Sequence, residues 1–189
     1  LKVDAYLLEH KQTGNFDRLD SLAKVIRGYT PGWHDYTTSG IPIIKVRNLN
    51  NQFIKFDFEH RGFVPEEIYK RHEGAHIQSN DIVLTASAHK AEYIAKKIDI
   101  IDVLPANECM ACGELLIIRP DANVIDPFYL LSALRIKEIN DQIRSRITGT
   151  TAHIYPDDIG KNIMIPRLLP REKEELIGNS LRKALIAFR

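Results

Sequence analysis

Gly40-Ile41-Pro42-Ile43-Ile44-Lys45-Val46-Arg47 is the stretch on which the reading of the fold turns. Its isoleucines and valine are β-branched and partly alternate with other residues, which specifies a strand, and a proline is tolerated near a strand's start. On such a strand Lys45 and Arg47 project from one face. The polar run Asn48 to Gln52 is a turn. Phe53-Ile54-Lys55-Phe56-Asp57-Phe58 alternates as a second strand returning from it.

Beyond this pair, Pro65-Glu66-Glu67-Ile68-Tyr69 opens a short helical turn. Asp81-Ile82-Val83-Leu84-Thr85 is a third apolar run, followed by the polar Ser87, His89 and Lys90 and by a strand from Tyr93 to Ile101, so the pair reads as a hairpin. Glu114-Leu115-Leu116-Ile117-Ile118-Arg119 is a buried strand closed by Pro120. The region from Gly40 to Pro120 is therefore mostly sheet, twisted and mostly antiparallel.

Upstream, Tyr6-Leu7-Leu8 is a short apolar run before Gly14-Asn15. Leu19, Leu22, Val25 and Ile26 then recur at helical spacing, which predicts a short helix from Ser21 to Ile26 that stops at Arg27-Gly28. Tyr29-Thr30-Pro31-Gly32 is a turn signature. Downstream, Asp126-Pro127 supplies a capping residue and a first-turn proline for a long helix carrying Ile136, Ile139, Ile143 and Ile147 and ending near Thr148-Gly149. Ile163-Met164-Ile165 is a last strand stopped by Pro166. A second helix follows Pro170 with Ile177, Leu181, Leu185 and Phe188 on one stripe. The fold class is α+β: a sheet region, one long helix and a terminal helix leaving the body.

With 189 residues and 44% hydrophobic content, the chain can bury most of its apolar surface in one core, so one principal domain is expected. The 27% charged fraction with seven Phe and seven Tyr excludes a disordered or fibrous chain. No stretch approaches the roughly 18 consecutive apolar residues of a membrane span, and Leu1 to Gln12 lacks a signal peptide's basic start and apolar run. A cytoplasmic protein with no membrane partner is expected. The chain opens on Leu1 rather than Met, as a segment of a longer protein would. A net charge of +1 does not announce nucleic-acid binding, but Arg135 to His153 carries Arg135, Lys137, Arg144, Arg146 and His153 against only Glu138 and Asp141.

Cys109-Met110-Ala111-Cys112 is a C-x-x-C pair, and structural zinc needs four ligands. Neither a second pair nor a two-histidine spacing completes it, so two structural or partly buried thiols are expected, with no metal and no cofactor. There is no G-x-S-x-G elbow, phosphate-cradling loop, G-x-G-x-x-G, adenine-methylase signature or nuclease carboxylate-lysine motif. No catalytic centre is expected. Asp157-Asp158 after Pro156 reads as a turn and cap.

A sheet-rich domain that reads DNA must offer cations and neutral polar side chains from its loops. Four stretches qualify: Lys45 to Asn48, Ser87 to Lys90, Arg144 to Arg146, and Thr148 to His153. Each is also what an ordinary solvated loop looks like.

Taken in order, these residues resemble the target recognition domain of type I restriction-modification specificity (S) subunits, a domain also found in fused restriction-methyltransferases. Gly40 to Leu49 is similar to the family's G-x-P-x-[IV]-x-[IV]-x-[DN]-[IL] strand, preceded by an opening like that at Leu22 to Gly28. Ile77 to Thr85 resembles its L-x-x-G-D-[IL]-L-[IL]-T element, with Asn80 in place of the usual Gly. Asn107 with Leu115 to Pro120 resembles its next strand. Thr148 to Ile154 is similar to the loop after its long helix, and Ile163 to Pro166 with Leu169 to Glu172 resembles the entry to its spacer helix.

The resemblance implies a recognition domain over residues 1–169 and the start of a spacer helix over 170–189. It implies double-stranded DNA, methyltransferase (modification) and restriction subunits, and helix-mediated self-association as partners. The side chains it points to for DNA contact are Lys45, Arg47, Asn48, Ser87, His89, Lys90, Arg144, Arg146, Thr150, Thr151 and His153. Two alternatives stand beside it: the C-terminal recognition domain of a single-chain restriction enzyme and adenine-N6 DNA methyltransferase, and a protein-interaction module with no DNA role.

Overall fold

The computed structural model describes residues 15–52, 54–58, 61–104 and 108–187. The apolar run Tyr6-Leu7-Leu8, together with Gly14, Phe53, Asn107 and Phe188, lies outside them. From the N-terminal side come β1 (Phe16–Arg18), α1 (Leu19–Leu22), β2 (Ala23–Arg27), β3 (Ile41–Ile44), β4 (Phe63–Val64) and α2 (Glu66–Arg71). Then follow β5 (Ile82–Thr85), β6 (Ser87–Ala88), β7 (Ile98–Ile100), β8 (Met110–Ala111) and β9 (Leu115–Pro120). The C-terminal part holds α3 (Pro127–Arg135), α4 (Lys137–Arg144), β10 (Ala152–His153), α5 (Pro156–Asn162), β11 (Met164–Pro166) and α6 (Glu172–Ala187).

The central sheet has the order β2-β9-β5-β7 and every neighbouring pair is antiparallel. Residues 115–118 of β9 are all buried, because the sheet is covered on both faces. Leu116 and Ile118, with Ile82 and Leu84 of β5, enter one core closed by Phe128, Leu131 and Leu134 of α3 and Ile139 and Ile143 of α4. Leu115 and Ile117, with Val83, enter a second core formed with Ile43, Ile44, Leu49, Val64 and Met110. A smaller sheet, β4-β3-β8, wraps this second core; its β3–β8 pair is parallel.

Several local expectations are corrected by this packing. The helix expected at Ser21 to Ile26 spans only Leu19–Leu22, and Val25 and Ile26 lie on β2 opposite Ile118 and Ile117. Val25 packs toward the first core and Ile26 toward the second, a period of two that a mixed apolar cluster conceals. β2 also extends the sheet to a strand before Gly40. The strand at Gly40 stops at Ile44, and Val46–Asn48 is a 3-10 turn, so Lys45 and Arg47 do not share a strand face. Ile54 to Phe58 forms no strand; Phe56, Phe58 and Phe63 instead gather with ring centroids 6.2 and 5.6 Å apart. The strand expected from Tyr93 is confined to Ile98–Ile100, because Ala91–Tyr93 is a 3-10 turn and Ala95 takes a φ of 50°.

The long helix after Asp126 is two helices. Asp126 caps α3 as read, accepting from the Tyr129 amide at 2.8 Å. Ile136 then turns extended (ψ 138°), directly after Arg135, whose guanidinium is anchored to Ile98 O and Asp99 on β7. Ile139 and Ile143 stay buried while Ile136 is 41% exposed. Asp157 and Asp158 lie in the first turn of α5, where carboxylates suit the helix dipole, rather than in a turn before it. The terminal helix does not simply leave the body. Glu174 of α6 is buried against Arg167, and Leu181 and Leu185 pack on the first core, whereas Leu176, Ile177 and Ile186 remain exposed.

Gly178 sets how closely α6 approaches. A Cβ there would lie 1.9 Å from the Asp126 carboxylate that caps α3. Gly178→Ala should therefore lower stability by about 1–3 kcal/mol through forced displacement, despite the gain of about 1 kcal/mol in helix propensity. A chemical-denaturation midpoint at or above that of the unsubstituted chain would contradict this. Cys109 and Cys112 sit in the second core, and burial pushes both thiols up to about 12. At about pH 8 an alkylating reagent should modify neither in the folded chain and both in denaturant, since only the thiolate reacts; rapid labelling of the native chain would refute it.

Candidate nucleic-acid interface

Because β2 and β5 both run antiparallel to β9, the end of β2, the end of β5 and the start of β9 meet at one end of the sheet, with Arg27 opposite Leu116 and Thr85 opposite Leu115. Past that end, β6 and β10 pair antiparallel, Ser87 opposite His153 and Ala88 opposite Ala152. The pair is tied to the sheet by Ala86 N donating to Glu114 O at 2.8 Å and Ile154 N donating to Ala86 O at 3.0 Å. Two loops more than sixty residues apart in sequence thus become one surface.

Beneath the pair lies Arg27, which is half-buried. Its Nε donates to Gly113 O at 3.0 Å, an Nη2 proton goes to Ser87 Oγ at 2.6 Å, and its guanidinium lies 5.5 Å from the centre of the Tyr155 ring. Ser87 Oγ is in turn 2.8 Å from His153 Nδ1. Close approach of two chain segments makes this possible: a Cβ on Gly28 would lie 2.1 Å from Cys112 O, and one on Gly113 would lie 2.2 Å from Thr30 Oγ1. The result is a cleft of about 300 Å³ lined by Arg27, Thr30, Ser87, His89, Glu114 and His153 among others. A neighbouring cavity of about 350 Å³ shares Ser87, His89 and Glu114 and extends to Tyr93, Lys96 and Lys97.

The expected contact residues divide into three groups. Ser87, His89, Thr151 and His153 are brought together in the cleft wall. Lys90, Arg146 and Thr150 are exposed on the same loops, and Arg144 reaches the Ala91 carbonyl at 3.4 Å beside them. Gly149, with a φ of 81°, turns the second loop so that Thr148 and His153 exchange backbone hydrogen bonds.

The stretch at Lys45 to Asn48 behaves differently. Asn48 is 2% exposed, its Oδ1 accepts from Lys45 N and its Nδ2 donates to Lys55 O, so it braces its own loop and has no edge free for a base. Lys45 donates to Arg61 O at 2.7 Å and lies 3.8 Å from the Tyr36 ring centre; burial lowers its pKa. In the free chain both side chains are thus held by partners within their own loop and its neighbours. Arg47 is exposed, and the turn that carries it is held near the second cavity by Lys97 Nζ donating to Val46 O at 3.3 Å.

Arg27, Tyr155, Lys96 and Lys97, which the sequence did not single out, line or adjoin the same cavities. Arg27 was hidden by its reading as a helix stop; recognising Val25 and Ile26 as strand residues would have carried the chain one step further to the sheet end. Glu114 is the single acid among the residues lining either cavity. The surface can therefore attract a polyanion and present neutral donors and acceptors within it, while the described residues contain no group of three metal-ligating side chains.

No protein-family model matches the chain, and no curated protein matches it in sequence. Solved structures do match in shape. The type I restriction-modification S subunit from M. genitalium superposes with a TM-score of 0.58 at 15% identity, over 89% of this chain and 38% of that one. The HsdS subunit from Thermoanaerobacter tengcongensis gives 0.55 at 14%, over 92% and 38%. The type IIG restriction endonuclease BpuSI gives 0.63 at 12%, over 95% of this chain and 27% of that one. The chain spans well under half the length of each. It has the α+β fold found in part of these type I specificity subunits.

Proposed function

We propose that this chain is the DNA-reading domain of a type I specificity subunit, which directs methyltransferase and endonuclease subunits to a target sequence. The observation that carries the reading is the β6–β10 pairing, which merges the loops at Ser87 to Lys90 and Thr148 to His153 into one basic rim around a polar cleft. Lys90, Arg144 and Arg146 on the rim suit phosphates, which fix register without reading sequence, and the recessed polar groups suit base edges. In this reading the domain supplies the address and its partner subunits the chemistry. The exposed Leu176, Ile177 and Ile186 on α6 suit a partner helix, as the first part of a spacer would require. No described helix is long and apolar enough to cross a membrane.

The likeness to BpuSI favours one further reading, in which the same domain is the recognition part of a single-chain restriction enzyme and methyltransferase. An adenine-methylase motif in the sequence preceding Leu1 would select it over the separate subunit.

Selection of the 189-residue chain on a duplex library at fixed salt should enrich a defined sequence; recovery of the library unchanged overturns the proposal. Arg146→Ala should weaken binding about equally on all sequences and reduce the salt slope by about one, as for loss of one phosphate contact. An unchanged slope removes Arg146 from the interface.

A further inference from the structure

We infer that Arg27, recessed in the cleft between β6, β10 and the start of β9, reads the major-groove edge of a guanine. The inference rests on the DNA-reading function proposed above and assigns one of its sequence-determining contacts.

A guanidinium has five N–H donors. In Arg27 the Nε proton is taken by Gly113 O and one Nη2 proton by Ser87 Oγ, while Tyr155 supports the flat face. Both Nη1 protons and the second Nη2 proton have no hydrogen bond among the described residues. What is left is the outer edge of the fork, with parallel donors held in a fixed orientation. Guanine is the base that offers two adjacent acceptors, O6 and N7, in the major groove; adenine and thymine each offer one acceptor there. Anchoring the guanidinium before binding removes the rotamer entropy that a free arginine would lose on docking.

A phosphate has a similar pair of acceptors. Position favours the base: Arg27 is half-buried in the cleft lining, while Lys90 and Arg146 stand exposed on the adjoining loops, where a backbone would run.

Ser87 couples this contact to its neighbour. Accepting a proton from a cation polarises the Ser87 hydroxyl, so its own proton is best directed to His153 Nδ1, 2.8 Å away. Ser87 and Tyr155 are positioning residues, and Arg27 is the reader.

The test uses the sequence enriched by the unsubstituted chain. Replacing N7 of each guanine in turn by carbon should weaken binding about tenfold at one position, the loss of half a bidentate pair, and this arm needs no protein variant. Selection with Arg27→Met, which keeps the stem and removes every donor, should lose the guanine preference at that same position while the remaining consensus persists. Ser87→Ala should relax it partly there. If every carbon-substituted duplex binds as the parent does, or if Arg27→Met keeps the full consensus and only flattens the salt slope as loss of a phosphate contact would, the inference fails while DNA reading stands. If the unsubstituted chain enriches no sequence, both fail.

Discussion

Burial of β9 on both faces is the constraint from which the rest of the molecule follows. Its four consecutive aliphatic residues, Leu115 to Ile118, alternate between two separate cores, so neither core can be assembled without the strand that divides them. β2 and β5 must flank it to complete its backbone hydrogen bonds in an interior that water does not reach. Because both neighbours run antiparallel to β9, their ends are fixed at the place where β9 begins, and the cleft is built there.

The periphery is located by three arginines, each paired with a buried carboxylate: Asp81, Asp99 or Glu174. Arg119 grips Asp81 from β9 with two bonds of 2.8 Å and also reaches His76 O. Arg135 joins α3 to Asp99 on β7, and Asp99 also accepts from the amides of Asn50 and Asn51, so one side chain ties a helix, a strand and an irregular loop. Burial pushes the Asp99 carboxyl upward, against those amides and the nearby Arg135, which pull it down. Arg167 spans Asp17, Glu174 and Val124 O, linking β1, α6 and the segment before α3. Such pairs add little against an apolar alternative, but losing one partner costs about 3–5 kcal/mol, which makes them selective for one arrangement.

Where local chemistry decides an element, the sequence was sufficient. The cap at Asp126 with Pro127, the apolar run of β9 and the stop at Pro166 are all set by residues within a few positions of one another, and they stand where expected. Where a partner distant in sequence decides, it was not. Val25 and Ile26 become strand residues because β9 lies beside them, and the break at Ile136 falls beside an anchor on β7. The site shows the same division. Ser87, His89, Thr151 and His153 were legible as polar loop residues, but only the β6–β10 pairing makes them neighbours. The bracing of the loop by Asn48 was not legible, because a polar side chain in a loop looks the same in sequence whether it faces solvent or holds the loop from within.

Under the proposed function, duplex DNA docks on the end of the sheet where β9 begins. Amide hydrogen exchange of the 189-residue chain, with and without its enriched duplex, tests it most directly. Slowed exchange is expected at residues 27–30, 87–90, 113–114 and 148–155, with little change at the opposite end of the sheet near Ala23 and Asp121. Slowing confined to α6 or to that opposite end, with the two paired loops exchanging as in the free chain, would contradict it.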